Sequence, residues 1–97
     1  MITTKKRAML KKVAHNYEPS VQIGKEGLTQ AVINQIDVEL ENRELIKIKL
    51  LKTSGESSKT IINELAGVLK AEPILSVGGV IVLYRFSNKK GVKHIEF

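Results

Sequence analysis

The chain has no cysteine, no tryptophan, two prolines, and only two tyrosines and two phenylalanines. Without cysteine there is no disulfide scaffold, no thiolate zinc site and no cysteine nucleophile. The same absence fits a reducing compartment, and a cytoplasmic location is expected. Long apolar runs are missing too. The longest, Val80 to Tyr84, is far too short to span a bilayer. The basic start is not followed by the apolar stretch of a signal peptide, so no membrane association is expected. Imidazoles are limited to His15 and His94, and neither has a Ser, Asp or Glu at a catalytic spacing. The acids between residues 37 and 44 lack the spacing of a calcium loop. Neither glycine pair is followed by the Lys-Ser/Thr of a nucleotide P-loop. These absences predict a protein that is not an enzyme and has no metal, cofactor or small-molecule substrate.

What is present is a short basic chain of 97 residues, 42 % apolar, with a net charge of +6. That length suits a single domain, with a core over about residues 4–87 and a basic tail at 88–97. The charge is unevenly spread. Residues 1–25 carry Lys5, Lys6, Arg7, Lys11, Lys12 and Lys25 against Glu18. Residues 26–44 reverse the sign, with Glu26, Asp37, Glu39, Glu41 and Glu44 against Arg43. A polarised surface of this kind attracts polyanions through counterion release.

The hydrophobic spacing predicts the order α-β-α-β-α-β-β. A first helix runs from a Thr3 or Thr4 cap to about His15, with Met9, Leu10, Val13 and Ala14 on one stripe. Lys5, Lys6 and Arg7 fall in its first turn, where cations oppose the helix dipole. A factor other than helix stability therefore selects them. Ser20–Gly24 reads as a strand and Thr29 as the cap of a second helix reaching about Asn42. Val32, Ile33, Ile36 and Leu40 make its inner face, and Asp37, Glu39 and Glu41 its outer one. Leu45–Leu51 alternates as a strand, with Ile46, Ile48 and Leu50 opposite Lys47 and Lys49. A loop over Thr53–Ser58 precedes a third helix to about Lys70, closed by Pro73. Ile74–Val77 and Val80–Ser87 form a hairpin around Gly78-Gly79. Tyr84 and Phe86 share a face with Val80 and Val82 and are expected in the core. The tail is an edge strand or loosely held. Alternating helices and strands that end in a hairpin give an α/β domain with a four-stranded mixed sheet packed with helices.

One constellation points to chemistry. Gly24-Lys25-Glu26-Gly27 follows a strand and opens a helix. Its glycines let the backbone turn sharply and approach a ligand without a Cβ in the way. The free N–H groups at the start of the next helix favour anions, and Lys25 adds a cation. In KH domains a G-x-x-G loop clamps a nucleic-acid backbone. Glu26 repels phosphate and is expected to point away from it.

Four blocks, in order, resemble the YhbY-like family, the stand-alone bacterial form of the CRM domain (chloroplast RNA splicing and ribosome maturation). They are Leu10 with Ala14-His15, Val21-Gln-Ile-Gly-Lys-Glu-Gly-Leu-Thr29, Glu44-Leu-Ile-Lys-Ile-Lys49 and Val82-Leu-Tyr-Arg85. The resemblance implies a fold similar to the C-terminal domain of bacterial initiation factor three, with a KH-like loop. It also implies binding of RNA, namely rRNA in precursors of the large ribosomal subunit. A non-catalytic monomer is expected, since no heptad pattern demands a dimer. The implied site is the loop Gly24, Lys25, Glu26 and Gly27 with the basic helix Lys5, Lys6, Arg7, Lys11 and Lys12. Lys47, Lys49 and Arg85 stand in the matching blocks. Phe86 replaces a Gly common in plant members, so intron splicing is not carried over. The alternative is a protein-interaction module that uses the acidic face Asp37, Glu39 and Glu41.

Overall fold

Alternation along two central strands divides the interior into two layers of packing. The computed structural model describes residues 2–51 and 57–95, which form helices α1 (Thr4–His15), α2 (Gln30–Arg43) and α3 (Ser58–Leu69). They also form strands β1 (Val21–Ile23), β2 (Leu45–Leu50), β3 (Glu72–Val77) and β4 (Val80–Tyr84). The strand order is β1-β2-β4-β3, with β1 and β2 parallel and the other pairs antiparallel. The expected α/β architecture and mixed sheet are therefore observed. The loop expected at Thr53–Ser58 lies mostly outside the described residues, as does Phe97.

Ile46, Ile48 and Leu50 of β2 and Ile81 and Leu83 of β4 face α2 and α3 in the larger core. Leu45, Val82 and Tyr84 face the other way and meet Leu10 and Ala14 of α1. A sheet covered on both faces requires strands that are apolar on both faces, which is the composition of β4. Each fully buried Leu or Ile contributes roughly 1.5–3 kcal/mol. α1 buries only Leu10 and Ala14. Met9 and Val13, expected beside them, are exposed. α1 crosses its face of the sheet without another described helix to cover its flanks.

Local chemistry sets the ends of the elements. The hydroxyls of Thr3, Thr29 and Ser57 accept from the N–H groups of Lys6, Val32 and Thr60 and cap the three helices. α3 stops one residue earlier than expected, because Lys70 is left-handed (φ 54°) and the Ala71 N–H returns to the Ala66 carbonyl. Pro73 is not the stop. It lies inside β3, tolerated because β3 is an edge strand with a bulge between Pro73 and Leu75. The Gly78-Gly79 turn joins β3 to β4 as expected. A Cβ on Gly79 would sit 2.8 Å from the Leu50 carbonyl oxygen, so only glycine fits there. The Leu50 N–H donates to the Gly79 carbonyl at 2.7 Å, which ties the hairpin tip to the end of β2.

The tail is not an edge strand. Its anchor is Glu44, a fully buried carboxylate at the C-cap of α2. Glu44 accepts from the N–H of Ser87 (2.7 Å) and of Ile95 (3.0 Å), and its Oε2 lies 2.6 Å from His94 Nδ1. Its backbone is left-handed (φ 66°), a costly geometry for a residue with a Cβ. The surrounding bonds hold it there: its N–H donates to Leu40 and its carbonyl accepts from Arg85. Burial alone pushes the Glu44 carboxyl up. The N–H of Ser87, the His94 imidazole and the N–H of Ile95 outweigh burial and, with the charge of His94, hold the group below the ordinary glutamate value.

Candidate nucleic-acid interface

The carboxyl ends of β1 and β2 and the β3–β4 hairpin meet at one end of the sheet. The Leu51 N–H donates to Ile23 there, and the Leu50 N–H to Gly79. The turn Gly24–Gly27 lies at the same end, closed by the Gly27 N–H on the Gly24 carbonyl at 3.0 Å. Gly27 is left-handed (φ 69°) with open space where a Cβ would be. Backbone angle, not crowding, therefore demands glycine at this position. Lys25 and Glu26 are both exposed at the tip of the turn.

Below this end lies a strip of sheet that α1 leaves uncovered. Register places Gln22 beside Lys49, Lys49 beside Val80, and Val80 beside Val77. Val21, Ile23, Ile48 and Ile81 are in the α2/α3 core, so this row faces the α1 side. Gln22 and Lys49 are exposed, and Val77 is 63 % exposed. One row further in, Lys47 Nζ reaches the carbonyls of Ala14 (3.4 Å), His15 (3.5 Å) and Tyr17 (3.3 Å). A cation there complements the negative end of α1. Lys11 and His15 line a groove with Lys47, Val77 and Val80, and the groove continues past Lys49 to Gly79.

The expected site residues therefore separate into groups. Lys11, Lys47 and Lys49 share the strip, with Lys25 at the adjacent turn. Lys5 and Lys6 sit at the opposite end of α1. Arg7 beside them donates to the Pro73 carbonyl and lies 3.8 Å from Glu72, at the start of β3. β3 separates that end from the hairpin by roughly 16 Å at about 3.3 Å per residue. Lys12 is exposed in the last turn of α1.

Arg85 is placed inward. Its guanidinium donates to Asp37 Oδ1 (2.8 Å), the Asp37 carbonyl (3.1 Å), Glu41 Oε1 (3.0 Å) and the Leu69 carbonyl (3.0 Å). The side chain is 17 % exposed. It joins α2 and α3 to the end of β4, with four of its five N–H donors engaged in these contacts. The acidic face is altered by the same contact. Asp37 and Glu41 are paired with Arg85, and Glu39 lies 3.4 Å from Arg43. A face neutralised from within offers little to a basic partner. Tyr84 is buried as expected, but Phe86 lies past the strand, 57 % exposed, and stacks on His94 at 4.6 Å.

Sequence reasoning missed Glu44, Gln22 and His15. Glu44 counted as one acid among several. Its signal was its position, first in a block otherwise made of apolar residues and lysines. Among the described residues, no group of three or more His, Cys, Asp or Glu is placed to hold a metal ion, and no helix is long and apolar enough to cross a membrane.

Residues 2–85 match the model of the CRS1 / YhbY (CRM) domain. A Haemophilus influenzae protein named "RNA-binding protein" is 35 % identical, over 95 % of this chain and 93 % of its own length. The "Probable RNA-binding protein YqeI" of Bacillus subtilis is 34 % identical over 99 % of this chain and 98 % of its own. The solution structure of the hypothetical protein SAV1595 from Staphylococcus aureus superposes with a TM-score of 0.79 at 39 % identity, covering 93 % of this chain and 94 % of that one.

Proposed function

Because the chain belongs to the CRS1 / YhbY (CRM) domain family, we propose that it binds RNA without catalysis, and that its target is rRNA in precursors of the large ribosomal subunit. The protein acts as a monomer that captures a structured segment during assembly. The observation that carries this reading is the uncovered strip: Lys11, Lys47 and Lys49 lie along one groove that reaches Gly79, at the end of the sheet where the Gly24–Gly27 turn carries Lys25. Cations in a row along a groove suit a phosphate backbone, whose binding releases counterions. Among the described residues, His15 and, at its margin, Tyr17 bring rings to the strip, and lysines supply its cations. Its contacts are mainly electrostatic and shape-led, as in recognition of paired RNA. Lys5, Lys6 and Lys12 supply long-range attraction from the rest of α1.

Sedimentation of the protein from a low-salt lysate, with and without ribonuclease, tests this reading. Co-migration with large-subunit precursors that is lost after ribonuclease supports it. A protein that stays at the top of the gradient in both samples rejects the ribosomal target.

A further inference from the structure

A second concavity lies on the far side of the Tyr17–Glu18 segment. Its volume is about 640 Å³, more than enough for a nucleoside, and it opens between α1, the end of α2 and the tail. His94 forms one wall, with Tyr17, Arg43 and Lys93 around it. Tyr17 and Glu18 also line the groove beside Lys49, so the two depressions share a wall.

The unusual feature is how firmly this histidine ring is held. Its Nδ1 is 2.6 Å from the buried Glu44 carboxylate, and one face stacks on Phe86 with the planes 12° apart. Two constraints from different directions fix both the position and the tilt of the ring. Nevertheless 49 % of the side chain remains exposed. Phe86 is not part of the cleft wall and covers the ring from outside it. What His94 offers the cleft is therefore the remaining surface of a pre-oriented ring, with Arg43 and Lys93 lining the same cleft. An exposed aromatic face beside Arg and Lys is the arrangement on which single-stranded bases stack.

We propose that this cleft receives one unpaired base of the bound RNA, stacked on His94, with Arg43 and Lys93 taking the adjoining phosphates. The proposal rests on the RNA-binding reading above and extends it: paired RNA lies along the lysine strip, and an unpaired nucleotide crosses the Tyr17–Glu18 wall into the cleft. Glu18 on that wall disfavours a phosphate there and leaves the cationic side for the backbone. Among the described residues, Arg43 is engaged only by Glu39 on the surface, at 3.4 Å, and is 62 % exposed. Re-aiming it costs little.

The test uses the full chain and three RNAs: a blunt hairpin, the same hairpin with a four-nucleotide 3′ extension, and the same extension with abasic sugars. The extended RNAs carry equal phosphate charge, so their affinity ratio reports bases alone. The expected ratio for the unaltered protein is about ten-fold in favour of the bases, the size of one stacking contact. A 2-aminopurine in the extension is quenched on binding. His94→Ala is expected to abolish both the ratio and the quenching while leaving hairpin affinity unchanged. The double change Arg43→Ala and Lys93→Ala, which leaves the Glu44 anchor intact, is expected to weaken both extended RNAs about five-fold and the hairpin not at all. A ratio of one in the unaltered protein, or a ratio that survives His94→Ala, overturns the proposal while tight hairpin binding preserves the reading beneath it. Failure to bind even the hairpin overturns both.

Discussion

Glu44 and His94, 50 residues apart in the chain, meet at 2.6 Å, and the carboxylate is fully buried while the imidazole is half-exposed. Glu44 also accepts from the N–H groups of Ser87 and Ile95, so one side chain fastens the tail at two points. Glu44→Ala leaves two N–H groups without their acceptor, at a cost of about 1–3 kcal/mol each where they are buried. The expected loss is about 3 kcal/mol in urea unfolding, with the tail released to amide exchange.

The same carboxylate gives a pH dependence with a definite sign. Its pKa is lower in the folded protein than in the unfolded chain. Its contribution is therefore complete above the ordinary glutamate value and is lost as pH falls through the depressed folded value. Glu44→Gln is expected to be less stable at neutral pH and to show a shallower acid limb. Unfolding midpoints between pH 6 and pH 2 measure this. An unchanged acid limb assigns the dependence to other carboxylates.

Arg85 and Lys49 are expected to separate stability from binding. Arg85→Ala breaks contacts to three carbonyl or carboxylate neighbours (Asp37, Glu41 and Leu69). The acids are about half-exposed, so solvent screening limits the loss to about 2 kcal/mol, or roughly 8–16 °C in Tm. Lysine does not restore it, having no planar fork. RNA affinity of the folded fraction is unchanged. Lys49→Ala is expected to do the reverse: unfolding within about 0.5 kcal/mol of the parent, and a salt slope of RNA binding reduced by about one. Lys25→Ala shares the slope change. Lys47→Ala affects both, because the ammonium also caps α1.

The glycines differ in the same way. Gly27→Asp introduces only backbone strain, since the space around it is open. About 1 kcal/mol of stability is expected to be lost, with a larger fall in RNA affinity from the added carboxylate. Gly79→Ala drives a Cβ against the Leu50 carbonyl oxygen, and several kcal/mol of destabilisation are expected. Thermal melts and anisotropy titrations on both variants check the contrast.

The elements that sequence reasoning placed well are those whose signals are local. Thr3 and Thr29 cap within three residues of themselves, Ile46, Ile48 and Leu50 alternate within one strand, and Gly78-Gly79 turns between its neighbours. The failures concern contacts between distant residues. Arg85 reads as a cation in a family block until α2 brings Asp37 and Glu41, over 40 residues away, against it. The acids of α2 read as a solvated face for the same reason. Phe86 follows Tyr84 by two, but the strand ends first, and the ring turns to His94 instead of the core. For the candidate site, the turn Gly24–Gly27 and the lysines were legible. Their grouping was not, because it depends on how much of the sheet α1 covers, and no spacing in α1 encodes that.

The sheet order has a consequence for synthesis. β4 is the last of the described strands, yet it lies in the middle, paired to β2 on one side and β3 on the other. Until residues 80–84 emerge from the translating ribosome, β3 has no strand partner and β2 is paired along one edge only. Completion of the sheet therefore waits for residues 80–84, and a nascent chain released before residue 80 leaves with one edge of β2 and all of β3 unpaired.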